Sequence, residues 1–170
     1  MAILDHLERW SAWPPPGDGR RYRVISLEHL VGTIHVLPDA EIEELFATAI
    51  VGRIACCDHG VEGGNGRPYV VPIAYGYDGE AIYAHSDVGR KIRLMRVQPL
   101  VSVEVDQADA PDRWRSAIAD GVYEELTDPT ARTRAISMIH PDPQHRPAIP
   151  DTTIVYRIRL TAKSGRYELP

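Results

Sequence analysis

Polar and basic residues are concentrated in one short segment near the middle of the chain. His85 and Ser86 end an apolar run, and Gly89, Arg90 and Lys91 follow closely. A helix beginning here would present unpaired backbone N–H groups, which attract anions, and Ser86 could cap it or donate to a phosphate oxygen. The guanidinium adds a forked donor and the ammonium a point charge, so the segment suits a terminal phosphate group. A capped, solvated basic helix is the competing interpretation.

The charge distribution supports a small anionic ligand. The chain carries 19 Lys and Arg against 24 Asp and Glu, a formal net charge of −5. This balance argues against a nucleic-acid binder, because affinity for a duplex requires several neutralised phosphates. Residues 86–96 nevertheless hold four basic residues and one acidic residue. A compact cationic segment in an acidic protein indicates a small anion rather than a polyanion.

Composition also bears on the compartment. The chain has no apolar run near the ~18 residues of a membrane span. Asp5, Glu8 and Arg9 fall in the first turns, which is not the pattern of a signal peptide. The two cysteines, Cys56 and Cys57, are adjacent and provide no disulfide framework. We therefore expect a cytoplasmic protein that does not act at a membrane.

The elements that must position the basic segment begin after an N-terminal extension. The run PPPGDG at 14–19 predicts a linker, so residues 1–37 are interpreted as an extension or arm, with a partly disordered terminus as the alternative. Residues 38–170 are assigned to one domain.

Periodicity and turn signals divide that domain into helices and antiparallel strands. Pro72 indicates an edge strand, a bulge or a contact with ligand, and Asp78-Gly79 predicts a hairpin. Hairpins dominate and βαβ alternation is absent, which favours an α+β fold built on an antiparallel barrel. The predicted helices cover 39–50, 87–97 and 129–139, and the predicted strands cover 51–57, 68–77, 81–85, 100–106, 113–124 and 153–161.

Five motifs occur in order along this domain. They are Gly66 with Pro68 and Pro72, Tyr83-x-His85-Ser86, Gly89-x-Lys91, Gln98-Pro99-Leu100-Val101, and the strand from Trp114 to Gly121. Together they resemble the flavin-binding split barrels of the pyridoxamine 5′-phosphate oxidase-like superfamily, nearest the branch of the nitroimidazole-resistance proteins. Gln98 departs from the Asn of the family pattern. The resemblance covers 38–127 well and 128–168 loosely, and it does not reach residues 1–37.

The resemblance implies an antiparallel Greek-key split β-barrel with a few flanking helices. It further implies a homodimer that holds FMN in a groove between the two barrels. The phosphate would contact the basic segment through His85, Ser86, Arg90 and Lys91. The isoalloxazine would lie along the Pro72 strand, at Val70, Val71, Pro72 and Ile73. A later strand would reach the cofactor through Trp114, Arg115 and Ser116, which the partner subunit could supply.

The predicted function is that of an FMN-dependent oxidoreductase acting on a small molecule. The flavin would supply the electron chemistry, so no side chain is assigned as a general acid or base. A nicotinamide cofactor is a candidate electron donor. Arg113 and Arg115 are the only nearby basic pair, so oxidation of pyridoxamine phosphate is less favoured than reduction of a nitroaromatic or another small substrate. The alternatives are a non-catalytic flavin-binding or sensing module, and a split barrel that uses haem or a deazaflavin.

His140 and His145 form the remaining candidate cluster. The prolines between them exclude two histidines on one helical face. We expect this segment to be a loop that covers the groove, and we predict no metal site.

Overall fold

The computed structural model describes residues 33–60 and 64–169. Within these residues the chain forms eight strands and three helices. The strands are β1 (Ile34–Val36), β2 (Val51–Cys57), β3 (Pro68–Ala74), β4 (Gly76–Tyr77), β5 (Ala81–Ser86), β6 (Leu100–Ala110), β7 (Arg113–Glu125) and β8 (Ile154–Glu168). The helices are α1 (Asp39–Thr48), α2 (Arg90–Val97) and α3 (Pro129–Ile139).

The strands form one antiparallel sheet whose two ends are not joined. Its order is β3-β2-β6-β7-β8-β5-β4, and β1 pairs with β8 beside this path. Only Tyr75 separates β3 from β4 along the chain, yet these strands lie at opposite ends of the order. The sheet must curl to bring its ends together there, although no ladder closes it. The predicted antiparallel split barrel with flanking helices is confirmed.

Helix α1 packs its apolar face into the barrel. Ile42, Leu45 and Phe46 follow helical spacing, and all three are buried. Between β3 and β4, the hydroxyl of Tyr75 donates to the carbonyl of Phe46 at 2.7 Å. This hydrogen bond holds α1 next to Tyr75, the residue at which the chain passes from one end of the sheet order to the other. It stops at Thr48, two residues before the predicted end.

The C-terminal strand is longer than its sequence pattern predicts. The apolar alternation fades near Thr161, but β8 continues to Glu168. Its second half pairs with β7, and its last three residues, 166–168, also pair with β1. Backbone hydrogen bonds to two neighbours stabilise this segment where side-chain burial is incomplete. A bulge between Asp120 and Gly121 shifts the register of β7 on β8.

The sheet begins inside the segment that we assigned to the extension. β1 lies within residues 1–37, and Leu37 is buried in the core. The N–H of Leu37 donates to the carbonyl of Gly165 at 3.0 Å. The earlier part of the predicted extension, including the predicted linker, lies outside the described residues.

Two other sequence signals have clear structural counterparts. Strand β3, which contains Pro72, lies at an end of the sheet, where a missing N–H is tolerated. Asp128 caps α3 by accepting from the N–H of Ala131 at 2.8 Å, and Pro129 follows as the first helical residue. Among the described residues, no helix has the length and apolar character to cross a membrane.

Candidate functional site

The predicted anion site lies where β5 ends and α2 begins. His85 and Ser86 are the last residues of β5, and α2 begins at Arg90. The helix starts three residues later than predicted, because residues 87–89 keep a non-helical backbone and Gly89 is the N-cap. Ser86 is thus not the cap, and its hydroxyl donates to the carbonyl of Asp87 at 3.0 Å.

The approach to this helix end is open. No side chain caps α2, so its first N–H groups lack side-chain partners. A Cβ built on Gly89 would meet only the carbonyl oxygen of Asp87, at 3.9 Å. A ligand oxygen can therefore come close to the backbone at this position.

Arg90 is oriented by an aromatic ring and a carboxylate. Its guanidinium carbon lies 4.7 Å from the ring centre of Tyr69, and its Nη2 lies 4.0 Å from Oδ2 of Asp58. The other oxygen of Asp58 accepts from the N–H groups of Asn65 and Arg67, at 3.2 and 2.6 Å. Asp58 thus organises the turn before β3 and places a negative charge near Arg90. About half of the Arg90 side chain is exposed, so its donors stay accessible.

Lys91 is the more buried of the two cations. Its Nζ lies 5.7 Å from the ring centre of Tyr156, and burial lowers the pKa of its ammonium. Its ammonium makes no hydrogen bond or ion pair with any side chain or backbone group that the structure describes. The hydroxyl of Tyr156 is buried and also lacks a hydrogen-bond partner among these residues. A half-buried ammonium with free donors favours an anionic ligand.

His85 meets a residue from the far end of α3. Its Nε2 lies 2.9 Å from Nε2 of His140, and the ring centres are 5.2 Å apart. Burial lowers the pKa of His85, and the nearby His140 and Lys91 act in the same direction, whereas Asp87 opposes them. The neutral imidazole is therefore favoured near pH 7.

The four predicted residues of β3 divide between two faces. Val70 and Pro72 are exposed, whereas Val71 is half-buried and Ile73 lies in the core. Because β3 ends the sheet order, its outer backbone edge has no ladder partner in the described chain. Ile73 could thus address a ligand through its backbone only.

Trp114, Arg115 and Ser116 lie at the start of β7. The indole of Trp114 donates to Glu168 at 2.8 Å, and Arg115 donates to Gln107 at 3.1 Å and to Glu44 at 3.2 Å. A cleft of about 450 Å³ includes Trp114 and Arg115 in its lining.

One chain does not bring these three residues to the β5–α2 junction. His85 pairs with Val155 of β8, whereas Arg115 pairs with Tyr167, twelve residues further along the same strand. At about 3.3 Å per residue, roughly 40 Å of strand separates the two positions. This is the path along β8, and no described contact joins Trp114, Arg115 or Ser116 to His85, Arg90 or Lys91.

Several residues of the junction were not predicted. Asp58, Tyr69 and Tyr156 come from three different strands or turns, and no local spacing links them to Arg90 or Lys91. His140 was noted in the sequence, but its contact with His85 depends on how α3 packs. The described residues contain no group of three or more His, Cys, Asp or Glu side chains placed to hold a metal.

An antiparallel sheet that curls without closing, flanked by helices, places the chain in the split-barrel class of α+β proteins. Residues 38–167 match the family model described as pyridoxamine 5′-phosphate oxidase. The chain belongs to this family.

The similar proteins include two solved structures and a curated relative. A FAD-binding protein from Mesorhizobium loti is 35% identical, with a TM-score of 0.63 over 79% of this chain and 97% of that one. A candidate 5-nitroimidazole antibiotic resistance protein from Bacteroides thetaiotaomicron is 21% identical, with a TM-score of 0.67 over 79% and 87%. An uncharacterised protein of Rhizobium meliloti is 32% identical over 93 residues, or 55% of this chain. That match spans 58% of the relative's length.

Proposed function

We propose that the chain binds FMN and acts as an oxidoreductase on a small molecule. The observation that carries the proposal is Lys91, a half-buried ammonium without a described ion-pair partner at an uncapped helix start. Membership of the pyridoxamine 5′-phosphate oxidase family gives this cationic junction a chemically matched ligand, the terminal phosphate of a flavin.

The junction residues divide the task of holding this phosphate. Lys91 supplies a partly desolvated positive charge, and Arg90, steadied by Tyr69, supplies a forked donor. His85 adds a neutral donor at the end of β5, and Ser86 would add a second one by turning its hydroxyl from the carbonyl of Asp87 to the phosphate. The open position at Gly89 lets the phosphate approach the first N–H groups of α2. The carboxylate of Asp58 lowers the net positive charge of the junction. Its Oδ2 lies 4.0 Å from Nη2 of Arg90, which is too far for a close ion pair.

The exposed edge of β3 would hold the ring system. Val70 and Pro72 offer an apolar surface, and the backbone from Val70 to Ile73 offers hydrogen-bonding groups to the polar edge of the ring. A bound flavin supplies the electron-transfer chemistry, while the chain binds it, orients it and excludes water.

A homodimer would complete the site. Val70, Leu100 and Ile118 are exposed apolar residues on β3, β6 and β7, at 57%, 64% and 46% of their full area. The strand registers place these three residues on one face of the sheet, and exposed apolar residues on a sheet face favour burial against a second copy. A second subunit would also bring Trp114, Arg115 and Ser116 to the groove, because their own chain holds them far from its β5–α2 junction.

FAD is a second candidate cofactor. The Mesorhizobium loti protein, 35% identical to this chain, is described as FAD-binding. A flavin-binding protein without turnover is the non-catalytic alternative. Mass analysis of the extracted cofactor separates FMN from FAD.

The substrate is proposed to be small and without a phosphate group. Two arginines close to the proposed partner contribution already have partners: Arg115 pairs with Glu44 at 3.2 Å, and Arg166, opposite Ser116, donates to the carbonyl of Gly165 at 2.8 Å. A nitroaromatic or another reducible small molecule fits better than pyridoxamine phosphate, with a nicotinamide cofactor as the electron donor.

The absorbance spectrum of the purified protein tests the cofactor first. We expect a flavin spectrum at about one flavin per chain, and a haem spectrum or a colourless protein that gains no flavin on titration would refute the proposal. Anaerobic reduction by a nicotinamide cofactor and reoxidation by nitroaromatic or quinone substrates then test catalysis. Flavin binding without turnover on any substrate would favour the non-catalytic alternative. Sedimentation at micromolar concentration tests the dimer, and a monomer would exclude the shared groove.

A further inference from the structure

The C-terminal end of α3 is held against the β4–β5 hairpin by a close backbone approach. A Cβ at Gly76 of β4 would lie 2.5 Å from the carbonyl carbon and oxygen of Met138, and 2.8 Å from the N–H nitrogen of Ile139. Only glycine permits this distance. The next residue, His140, is the C-cap of α3. The position of His140 therefore follows from backbone packing and not from a flexible loop.

A second contact fixes His140 from the other side. The Nε of Arg146 donates to the carbonyl of His140 at 3.1 Å. With its backbone held at both sides, the imidazole reaches His85 across the hairpin, and the two Nε2 atoms are 2.9 Å apart. This distance is that of a hydrogen bond between two neutral imidazoles, in which one nitrogen donates and the other accepts.

The contact leaves His85 with one ring nitrogen for any other partner. Its Nε2 faces His140, so a ligand can use only Nδ1. A phosphate oxygen accepts hydrogen bonds, so Nδ1 must then carry the hydrogen. In a neutral ring Nε2 is then bare and must accept from His140. One hydrogen bond thereby determines which tautomer of His85 meets the ligand.

We propose that His140 is a positioning residue of the anion site, and that its Nε2–H holds His85 in the tautomer whose Nδ1–H donates to the ligand phosphate. The inference rests on the proposed function, since it assigns a role to His140 toward the same phosphate. It adds a residue from outside the β5–α2 junction and gives the segment after α3 a part in binding.

The charges around the pair agree with a neutral His85. Lys91 of α2 and Asp87 of the connecting loop act on His85 with opposite sign, and His140 adds a repulsive effect when it is protonated. Arg146 faces the backbone of His140. Two imidazolium rings at this distance would lose the hydrogen bond and repel each other, so at least one ring is neutral. Burial lowers the pKa of His85, so His85 is the ring that stays neutral.

Nitrogen-15 NMR of histidine-labelled protein tests the tautomers directly. In the wild-type protein loaded with FMN, we expect hydrogen on Nδ1 of His85 and on Nε2 of His140, with Nε2 of His85 bare. Signals are assigned by their loss in His85→Asn and His140→Phe. A hydrogen on Nε2 of His85 in the loaded protein would overturn the proposal. The variants serve only to assign the signals, and the tautomers themselves are read in the wild-type protein.

Affinity measurements separate positioning from packing. His140→Phe keeps a ring but removes the donor, and we expect it to raise the FMN dissociation constant about threefold to tenfold, the effect of one hydrogen bond. His140→Gln keeps an N–H donor and is expected to stay within about twofold of wild type. The matched control is His145→Phe, five residues further along and mostly exposed.

Each outcome of these titrations bears on a different claim. Wild-type affinity in His140→Phe would overturn the role of His140 and leave the proposed function intact. Equal losses in His140→Phe and His140→Gln would indicate packing alone and would also overturn it. Absence of FMN binding in every protein, wild type included, would refute the proposed function itself.

Discussion

The ammonium of Lys91 lies 5.7 Å from the ring centre of Tyr156, a residue that is fully buried in the barrel. The ring faces a cation from α2, while its hydroxyl has no hydrogen-bond partner among the described residues. The aromatic face stabilises the ammonium without using any of its N–H donors. The barrel interior therefore positions a charge whose hydrogen bonds are still available to a ligand.

The first prediction concerns this charge and its neighbour. Replacing Arg90 and Lys91 together by Ala should weaken FMN binding by roughly 2–4 kcal/mol, at about 1–2 kcal/mol for each charge-assisted contact. Flavin fluorescence titration measures the change. The control is Arg93→Ala, an exposed arginine on the same helix, which should leave the affinity within about twofold. An unchanged affinity for FMN in the double variant would mean that the phosphate binds at another site.

A second prediction compares two buried tyrosines. Tyr156→Phe removes a hydroxyl without a described partner and should leave the free energy of unfolding unchanged or raise it by up to about 1 kcal/mol. Tyr75→Phe removes a hydroxyl that donates to Phe46 at 2.7 Å and should lower it by about 1 kcal/mol. Urea denaturation measures both. A loss in Tyr156→Phe as large as that in Tyr75→Phe would show that the Tyr156 hydroxyl has a stabilising partner.

The third prediction is a pH dependence of stability. Burial acts to raise the pKa of Glu43, but hydrogen bonds from Lys163 and Tyr77 outweigh it, and the pKa lies below the ordinary 4.5. The folded state thus binds this proton more weakly than the unfolded state does. Its contribution is complete above the unfolded pKa and disappears as pH falls through the lower folded value.

Urea denaturation between pH 7 and pH 3 tests this sign. Other carboxylates with lowered pKa values, including Glu124 and Glu125, make the wild type lose stability in the same direction. Glu43→Gln should lose less stability than the wild type over that interval, because it lacks one of these groups. An equal loss in both proteins would mean that the contact of Glu43 with Lys163 does not stabilise the fold.

Sequence patterns a few residues long predicted the helices, because the spacing of apolar residues and the capping residues that define a helix lie close together in the chain. The spacing of Ile42, Leu45 and Phe46 gave the core face of α1, and Asp128-Pro129 gave the start of α3. The far half of β8 could not be predicted in this way. Its pairing with β1 and β7 is a property of distant segments, and its polar residues carry no alternation.

The same limit applies to the candidate site. His85, Arg90 and Lys91 could be found from sequence because strand end, glycine and basic residues are contiguous. Tyr156 and His140 could not, since each reaches the site through packing of a strand or helix far along the chain. The late start of α2 at Arg90 also escaped prediction, because Asp87 and Val88 are compatible with a helical pattern.

A fourth prediction uses the bulge in β7. A Cβ at Gly121 would lie 2.6 Å from Cγ2 of Ile158 and 2.7 Å from the carbonyl oxygen of Arg159. Gly121→Ala should therefore lower the free energy of unfolding by about 1–3 kcal/mol through overpacking. Gly89→Ala is the control, since its Cβ would meet only one atom, at 3.9 Å, and the loss of glycine at the N-cap should cost less than about 1 kcal/mol. Thermal and urea unfolding measure both changes. Wild-type stability in Gly121→Ala would mean that β8 can shift away from the new Cβ at the bulge without a loss of stability.

The last prediction addresses whether two chains share one site. We expect Arg90→Ala/Lys91→Ala and Trp114→Ala each to bind flavin weakly as homodimers. A heterodimer of the two variants, isolated through two different affinity tags, has one groove with both changes and one groove with neither. It should recover about half of the wild-type flavin content, because a two-fold dimer has two equivalent grooves. If each groove were built within one chain, each groove of the heterodimer would carry one of the two changes, and the heterodimer would recover no flavin binding. Recovery therefore distinguishes a shared groove from a self-contained one. Normal flavin binding by the Trp114→Ala homodimer would mean that Trp114 is not part of the site.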